Sequence, residues 1–312
     1  MENGNQTIDA YDDEIDLREL FSVLWSGKKL IVAITAAFAF VSVIYALSVP
    51  NQYKATTLLA AAQQEAGGLS GALGQLGGLA SLAGVSIGEG DSSEAQIAQE
   101  IIQSWGFIES FINNNDLAVE VFAAEGWDRS SNSLSIDDDL YDIESKVWVR
   151  SPPSGKTVQP TSWELYEEFK KYLSVSQDKK TGIVTLSVEY YSPILAKQWT
   201  DKLVSGINAH MQARKLKQVN SNIQYLEAQI EKTSIADMKE VFYTIIEEQI
   251  KSKMLAEASP EYAFVTVSPA MIPEEKSQPK RALICILGIL LGGMLATIIV
   301  LVRHYAFGED TK

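Results

Sequence analysis

Residues 282–302 read ALICILGILLGGMLATIIVLV, twenty-one positions without a charge, and residues 30–49 read LIVAITAAFAFVSVIYALSV, twenty more. At a helical rise of about 1.5 Å per residue each run covers roughly 30 Å, the thickness of a bilayer's hydrocarbon core. Two such runs near opposite ends of one chain predict two transmembrane helices. The rest of the chain is polar: of 312 residues, 26 are Lys or Arg and 40 are Asp or Glu, a net charge of −14, while hydrophobic positions still make up 46%. Segregation of the apolar residues into the two runs reconciles these figures. Nucleic acid is excluded as a partner, because a phosphate backbone needs a basic face and no Lys/Arg stripe is present.

The flanks of the two runs set the expected orientation. Lys28 and Lys29 precede the first and Arg303 follows the second, which places both termini in the cytoplasm. Lys280 and Arg281 point the other way, but they end a loop of about 230 residues, and loops of that length cross largely regardless of charge. That loop, 51–279, carries 19 Lys/Arg against 31 Asp/Glu, so an acidic bulk is expected on the outer, periplasmic side. Ala46-Leu47-Ser48 has the look of a signal-peptidase site. The 29 residues before the run carry seven Asp/Glu against three Lys/Arg, however, and the run exceeds a normal signal core.

Cys285 is the one cysteine and lies inside the second run, so no intramolecular disulfide and no cysteine-based zinc site can form. Along the outer domain, 53–62 reads as a strand, 94–111 and 161–173 as helices, 178–189 as a turn and strand, and 262–267 as a last strand. Residues 67–90 hold nine of the twenty glycines and suit a loop or short leucine-lined helices. From Pro193 to Pro260 there is no intervening proline and one glycine, Gly206. Leu195, Trp199, Leu203, Ile207 and Met211 recur every four residues, and Leu216, Val219, Ile223, Leu226 and Ile230 continue the stripe in steps of three and four. A helix over 194–231 follows, with Thr233 and Ser234 placed to cap a shorter return helix. The excess of the long helix must be covered by other parts of the domain or by a neighbouring protomer, which makes 216–230 the candidate oligomer seam.

Chemistry-bearing motifs are thin. SGKT at 154–157 ends like a phosphate-binding loop, but Arg150 stands where the first glycine is required, and Pro152 and Pro153 spoil the strand-loop-helix context. Asp137, Asp138 and Asp139 are consecutive, without the spacing of a calcium loop or the facing geometry of a glycosidase pair. His210 adjoins the long helix's apolar stripe, and His304 lies beyond the second span. No catalytic, cofactor-binding or metal-binding residue is therefore assigned. Trp105 and Trp199 fall in helical stripes and read as core, leaving Trp127 and Trp148 as candidate glycan contacts. Gly288, Gly292 and Ala296 make a small-residue face on the second span, with Ala33 and Ala37 as the candidate opposing surface.

Several stretches together resemble the Wzz-type O-antigen chain-length determinants, the class 1 polysaccharide co-polymerases of Gram-negative inner membranes. They are DLRELFSVLWSGKKLIV (16–32), YKATTLL (53–59), DKKTGIVTLSVEY (178–190), the P-x-x-A-x-x-W segment from Pro193 to Trp199, and SPAMIPEEKSQPKRALI (268–284). Glu274 and Glu275 stand where the family's proline-rich approach to the second span is usually denser. The resemblance implies an α+β periplasmic domain, with a small mixed sheet, helices and one long projecting helix, bracketed by two transmembrane helices. It divides the chain into a cytoplasmic tail (1–29), a first span (30–49), the periplasmic domain (50–279), a second span (280–302) and a cytoplasmic tail (303–312). It further implies a ring-like homo-oligomer without enzymatic activity or cofactor. Its job would be to set the modal length of lipopolysaccharide O-antigen made by a Wzy-type polymerase, with lipid-linked polysaccharide as a further candidate partner. The competing readings are a co-polymerase for enterobacterial common antigen or capsule, a membrane-anchored periplasmic glycan-modifying enzyme, and a two-span sensor. The enzyme would need convergent carboxylates or a histidine site. The sensor would need a cytoplasmic output module, for which the tails are short, and ten residues after Val302 leave no room for a kinase domain.

Overall fold

The computed structural model describes residues 17–62 and 90–307. The glycine-rich segment 67–90 falls outside the described residues except for Gly90. Helices α1 (Leu17–Ser26) and α2 (Lys28–Ser48) lead into strand β1 (Tyr53–Ala61), and α3 (Gly90–Ile102), α4 (Trp105–Asn114) and α5 (Ala118–Phe122) follow. Two small hairpins come next, β2 (Ala124–Asp128) with β3 (Ser133–Ile136), and β4 (Tyr141–Asp142) with β5 (Val147–Trp148). Then come α6 (Ser162–Tyr172), β6 (Leu173–Gln177), β7 (Val184–Tyr190), α7 (Pro193–Lys232), α8 (Ala236–Ala258), β8 (Phe264–Ser268) and α9 (Arg281–Phe307). Residues 50–277 form one compact unit, and the chain on either side of it forms another.

Within 50–277 a four-stranded sheet runs in the order β6-β7-β1-β8. Every pairing is antiparallel, where a mixed sheet was expected. The cause is the place of β1. It arrives from the start of the chain and inserts between β7 and β8, which run the same way and are joined by the α7–α8 excursion. Alternation along the strands fixes the register: Ala55 faces Val188, Thr57 faces Leu186 and Leu59 faces Val184, and all six are buried. A slip of one residue would turn that whole set toward solvent.

Ser192 starts α7 by accepting a hydrogen bond from Leu195 N, and Pro193 occupies the first helical position, where no amide hydrogen is needed. Forty residues then rise about 60 Å. Trp199, Leu203, Ile207 and Met211 press onto the sheet and are all but fully buried, each contributing about 1.5–3 kcal/mol by leaving water. Tyr190 packs on Trp199 with ring centroids 4.3 Å apart, and Phe169 of α6 closes the other side at 5.7 Å. Helix α6 begins with a reciprocal cap: Thr161 accepts from Glu164 N while the Glu164 carboxylate accepts from Thr161 N.

The return helix starts differently from the expectation. Thr233 ends α7, and α8 follows Ile235 with no side-chain cap from Thr233 or Ser234. The N-terminal tail also holds more structure than expected, since α1 is helical within it. Leu17, Leu20, Phe21 and Leu24 carry the helical spacing that signals it.

Candidate functional site

In the terminal unit, α2 and α9 are both long and apolar enough to cross a membrane. They meet through small residues on α9 and larger ones on α2. A Cβ added to Gly292 would lie 2.6 Å from Phe38 Cβ and 3.3 Å from Thr35 Cα, and one added to Gly288 would lie 2.5 Å from Ser42 Cβ. Ala296 is fully buried, and Ala46 nearly so, on the same contact. A third close approach lies at the other end, where a Cβ on Gly27 would meet Val300 Cγ1 at 2.6 Å. The opposing surface is therefore Thr35, Phe38 and Ser42, and not Ala33 and Ala37, which are exposed. At 100° per residue, 33 and 37 fall roughly opposite the 35/38/42 face, so both pairs of positions cannot meet the same partner. Arg281 Nε donates to Ala46 O at 3.0 Å, placing a cation on the carbonyl end of α2.

In the central unit, the seam 216–230 lies against α8. Val219 is 1% exposed and Leu226 9%, while Leu216, Ile223 and Ile230 are half-buried. Asn222 Nδ2 donates to Gln249 Oε1 across the pair. The return helix of the same chain covers this stripe, so the seam is not a free surface awaiting a neighbour. The exposed apolar stripe is on α8 itself, where Tyr243, Ile250 and Met254 are 59%, 45% and 63% exposed at helical spacing on one face.

Polar side chains fasten the hairpin's base. Asn208, 3% exposed, donates from Nδ2 to Phe264 O and accepts at Oδ1 from both Ala263 N and Phe264 N. Gln212 Nε2 donates to Ala256 O and Ser259 O at the end of α8. On the free edge of β8, Glu261 Oε1 accepts from Thr266 N. Side chains thus occupy the Phe264 and Thr266 edge groups and blunt an edge strand that would otherwise invite pairing.

No His, Cys, Asp or Glu group of three or more is placed to hold a metal ion among the described residues. The SGKT loop closes on a carboxylate: Lys156 Nζ donates to Glu164 Oε1 at 3.0 Å, and Gly155 turns with φ +84°. Arg150, 6% exposed, donates twice to the same carboxylate at 3.0 and 2.9 Å and also to the carbonyls of Thr157 and Val158. Those bonds, Arg150 foremost, hold the Glu164 carboxyl well below the usual carboxylate range against the opposing effect of burial. Asp137 Oδ1 accepts from Asp139 N, a local turn. His210 sits edge-on to Phe107.

The two candidate glycan contacts are half-buried and committed to separate aromatic partners. Trp127 on β2 meets Tyr53 edge-on at 5.7 Å and donates from Nε1 to Asn132 Oδ1. Trp148 on β5 meets Tyr141 at 5.1 Å and Phe122 at 6.0 Å.

Residues 13–115 match the family model Wzz, described as chain length determinant protein. Residues 236–305 match the model GNVR, described as a G-rich domain on putative tyrosine kinase. No curated protein matches the chain. Among solved structures, a "full-length bacterial polysaccharide co-polymerase" aligns over 95% of this chain and 100% of its own, with 16% identity and a TM-score of 0.39. A fragment of WzzB, the polysaccharide co-polymerase from Salmonella Typhimurium, aligns over 73% of this chain and 100% of its own, with 11% identity and a TM-score of 0.28. Over residues 13–115, which take in the first apolar helix and the strand after it, the chain is similar to the Wzz chain length determinant proteins.

Proposed function

We propose that this protein is a non-enzymatic inner-membrane regulator that sets the modal chain length of lipopolysaccharide O-antigen made by a Wzy-type polymerase. The observation that carries the reading is the Wzz match over 13–115, which takes in the first apolar helix and the strand that follows it. Two apolar helices flanking a soluble domain fit an inner-membrane member of the co-polymerase family. Chain-length regulation is what that family does in general.

In this reading α2 and α9 cross the membrane side by side and residues 50–279 are periplasmic. Lys28, Lys29 and Arg303 then mark the cytoplasmic side. The protein works as a homo-oligomeric scaffold, and the Tyr243/Ile250/Met254 stripe supports that part, since three large exposed side chains on one helix face suit burial against a second copy. Lipid-linked polysaccharide is the material the scaffold would meter.

Gel electrophoresis of lipopolysaccharide from a deletion strain tests the assignment. Loss of the preferred length with polymer still present is the expected result. Loss of all polymer would point to an enzyme, and an unchanged ladder with an altered second surface polymer would move the protein to that polymer's pathway.

A further inference from the structure

Helix α1 is amphipathic, and its apolar arc has two parts with different surroundings. Val23 is 4% exposed and Leu24 half-buried, and the helix packs on α9. The Gly27–Val300 approach locks its far end, because any side chain at 27 would collide with Val300. The rest of the arc is uncovered: Phe21 is 67% and Trp25 62% exposed, stacked on each other with ring centroids 6.0 Å apart. Lys28 Nζ lies 4.5 Å from the Trp25 ring centroid, at the start of the first span. At 100° per residue, Phe21 and Trp25 fall within one narrow sector of α1, while Ser22 and Ser26 lie on another.

We propose that α1 is a membrane-interface anchor, with the Phe21–Trp25 pair inserted at the headgroup level of the leaflet from which α2 enters the bilayer. The proposal rests on the reading of α2 and α9 as spans. The occupant follows from continuity and charge. The aromatic pair ends at Trp25, just before the Lys28 that begins α2, and rings beside a lysine at a span's end suit the boundary between hydrocarbon and water. Anionic headgroups are not the attraction. Residues 1–29 carry seven Asp/Glu against three Lys/Arg, so binding draws on apolar insertion and leaves lipid charge immaterial. A helix seated this way would fix the rotation of the span pair through Val23 and Gly27, with no additional protein required.

Depth measurement on the full chain in nanodiscs tests this. In a Cys285→Ser background, single nitroxide labels go on Phe21→Cys, Trp25→Cys, Ser22→Cys and, as a span control, Phe40→Cys. Phe40 is 68% exposed on α2. Collision with oxygen should exceed collision with a water-soluble nickel chelate at 21 and 25, and the order should reverse at 22. The ratio at 21 and 25 should be the same in phosphatidylcholine discs and in discs with added phosphatidylglycerol. Nickel exceeding oxygen at 40 would mean that the span reading itself has failed. With 40 protected, aqueous behaviour at 21 and 25 overturns the anchor. Low collision with both reagents there would also overturn it, because a second protein surface and not lipid would be covering the pair. A ratio that rises only with phosphatidylglycerol overturns the apolar basis.

Discussion

Asn208 and Phe264 exchange two hydrogen bonds, Nδ2 to Phe264 O at 2.9 Å and Phe264 N to Oδ1 at 2.8 Å, so one side chain on α7 acts as a strand partner to β8. The same oxygen takes Ala263 N as well. This pairing ties the end of the α7–α8 excursion to the sheet. Asn208→Leu keeps the volume but leaves three backbone groups unpaired beside an apolar core. A buried unsatisfied group costs about 1–3 kcal/mol, so the loss should exceed that of a typical surface change by several-fold. Thermal unfolding of the detergent-solubilised chain should show a clear drop in melting temperature, and an unchanged value would mean that β8 finds other partners.

The Gly292 contact gives a second expectation. Gly292→Leu forces α9 away from Phe38 and Thr35 and should weaken the span pair by ~1 kcal/mol or more, with membrane insertion intact. Polymer length distribution should broaden. Ala37→Leu, on the exposed side of α2, should leave the distribution as it is. Equal ladders from both variants would show that the close approach has no part in length control.

Two variants on the helical hairpin should behave differently. Changing Ile223 and Leu226 together to Asp places charge under α8, and helix content and melting temperature should fall irrespective of particle size. Changing Tyr243 and Met254 together to Asp touches only the exposed stripe. Light scattering should then show smaller species while circular dichroism is unchanged. Retained mass in the second variant would remove the stripe as a contact between copies.

The Arg150–Glu164 pair predicts a pH effect of definite sign. Glu164's carboxyl titrates below its unfolded value, so its stabilisation is whole above about pH 5 and declines as pH falls through about 4 and lower, where the unfolded chain takes up the proton first. Glu164→Gln leaves Arg150 buried without its counter-charge and should cost about 3–5 kcal/mol near neutrality. The variant's melting temperature should also change less between pH 5 and pH 3 than the wild type's, by the share of this one group. Parallel pH curves would show that the pair does not govern acid stability.

Elements whose evidence is local were legible in the chain. Both apolar runs, the Ser192–Pro193 start of α7, and the alternation of Val184, Leu186 and Val188 each follow from neighbours a few residues apart, because helix and strand periods are set by backbone geometry. Even α1 is present as a pattern, in Leu17, Leu20, Phe21 and Leu24, beside a stronger apolar run. Relationships between distant segments were decided elsewhere. The stripe from Leu216 to Ile230 shows that something must cover it, but whether that is α8 or another protomer depends on where the chain turns back. A small-residue face at Gly288 and Gly292 shows that a helix can approach closely, but only packing selects Thr35, Phe38 and Ser42 over Ala33 and Ala37. The pairing of β1 with β7 and the Asn208 pairing likewise join residues more than fifty positions apart, and hydrophobic pattern carries no record of which face of one element meets which face of another.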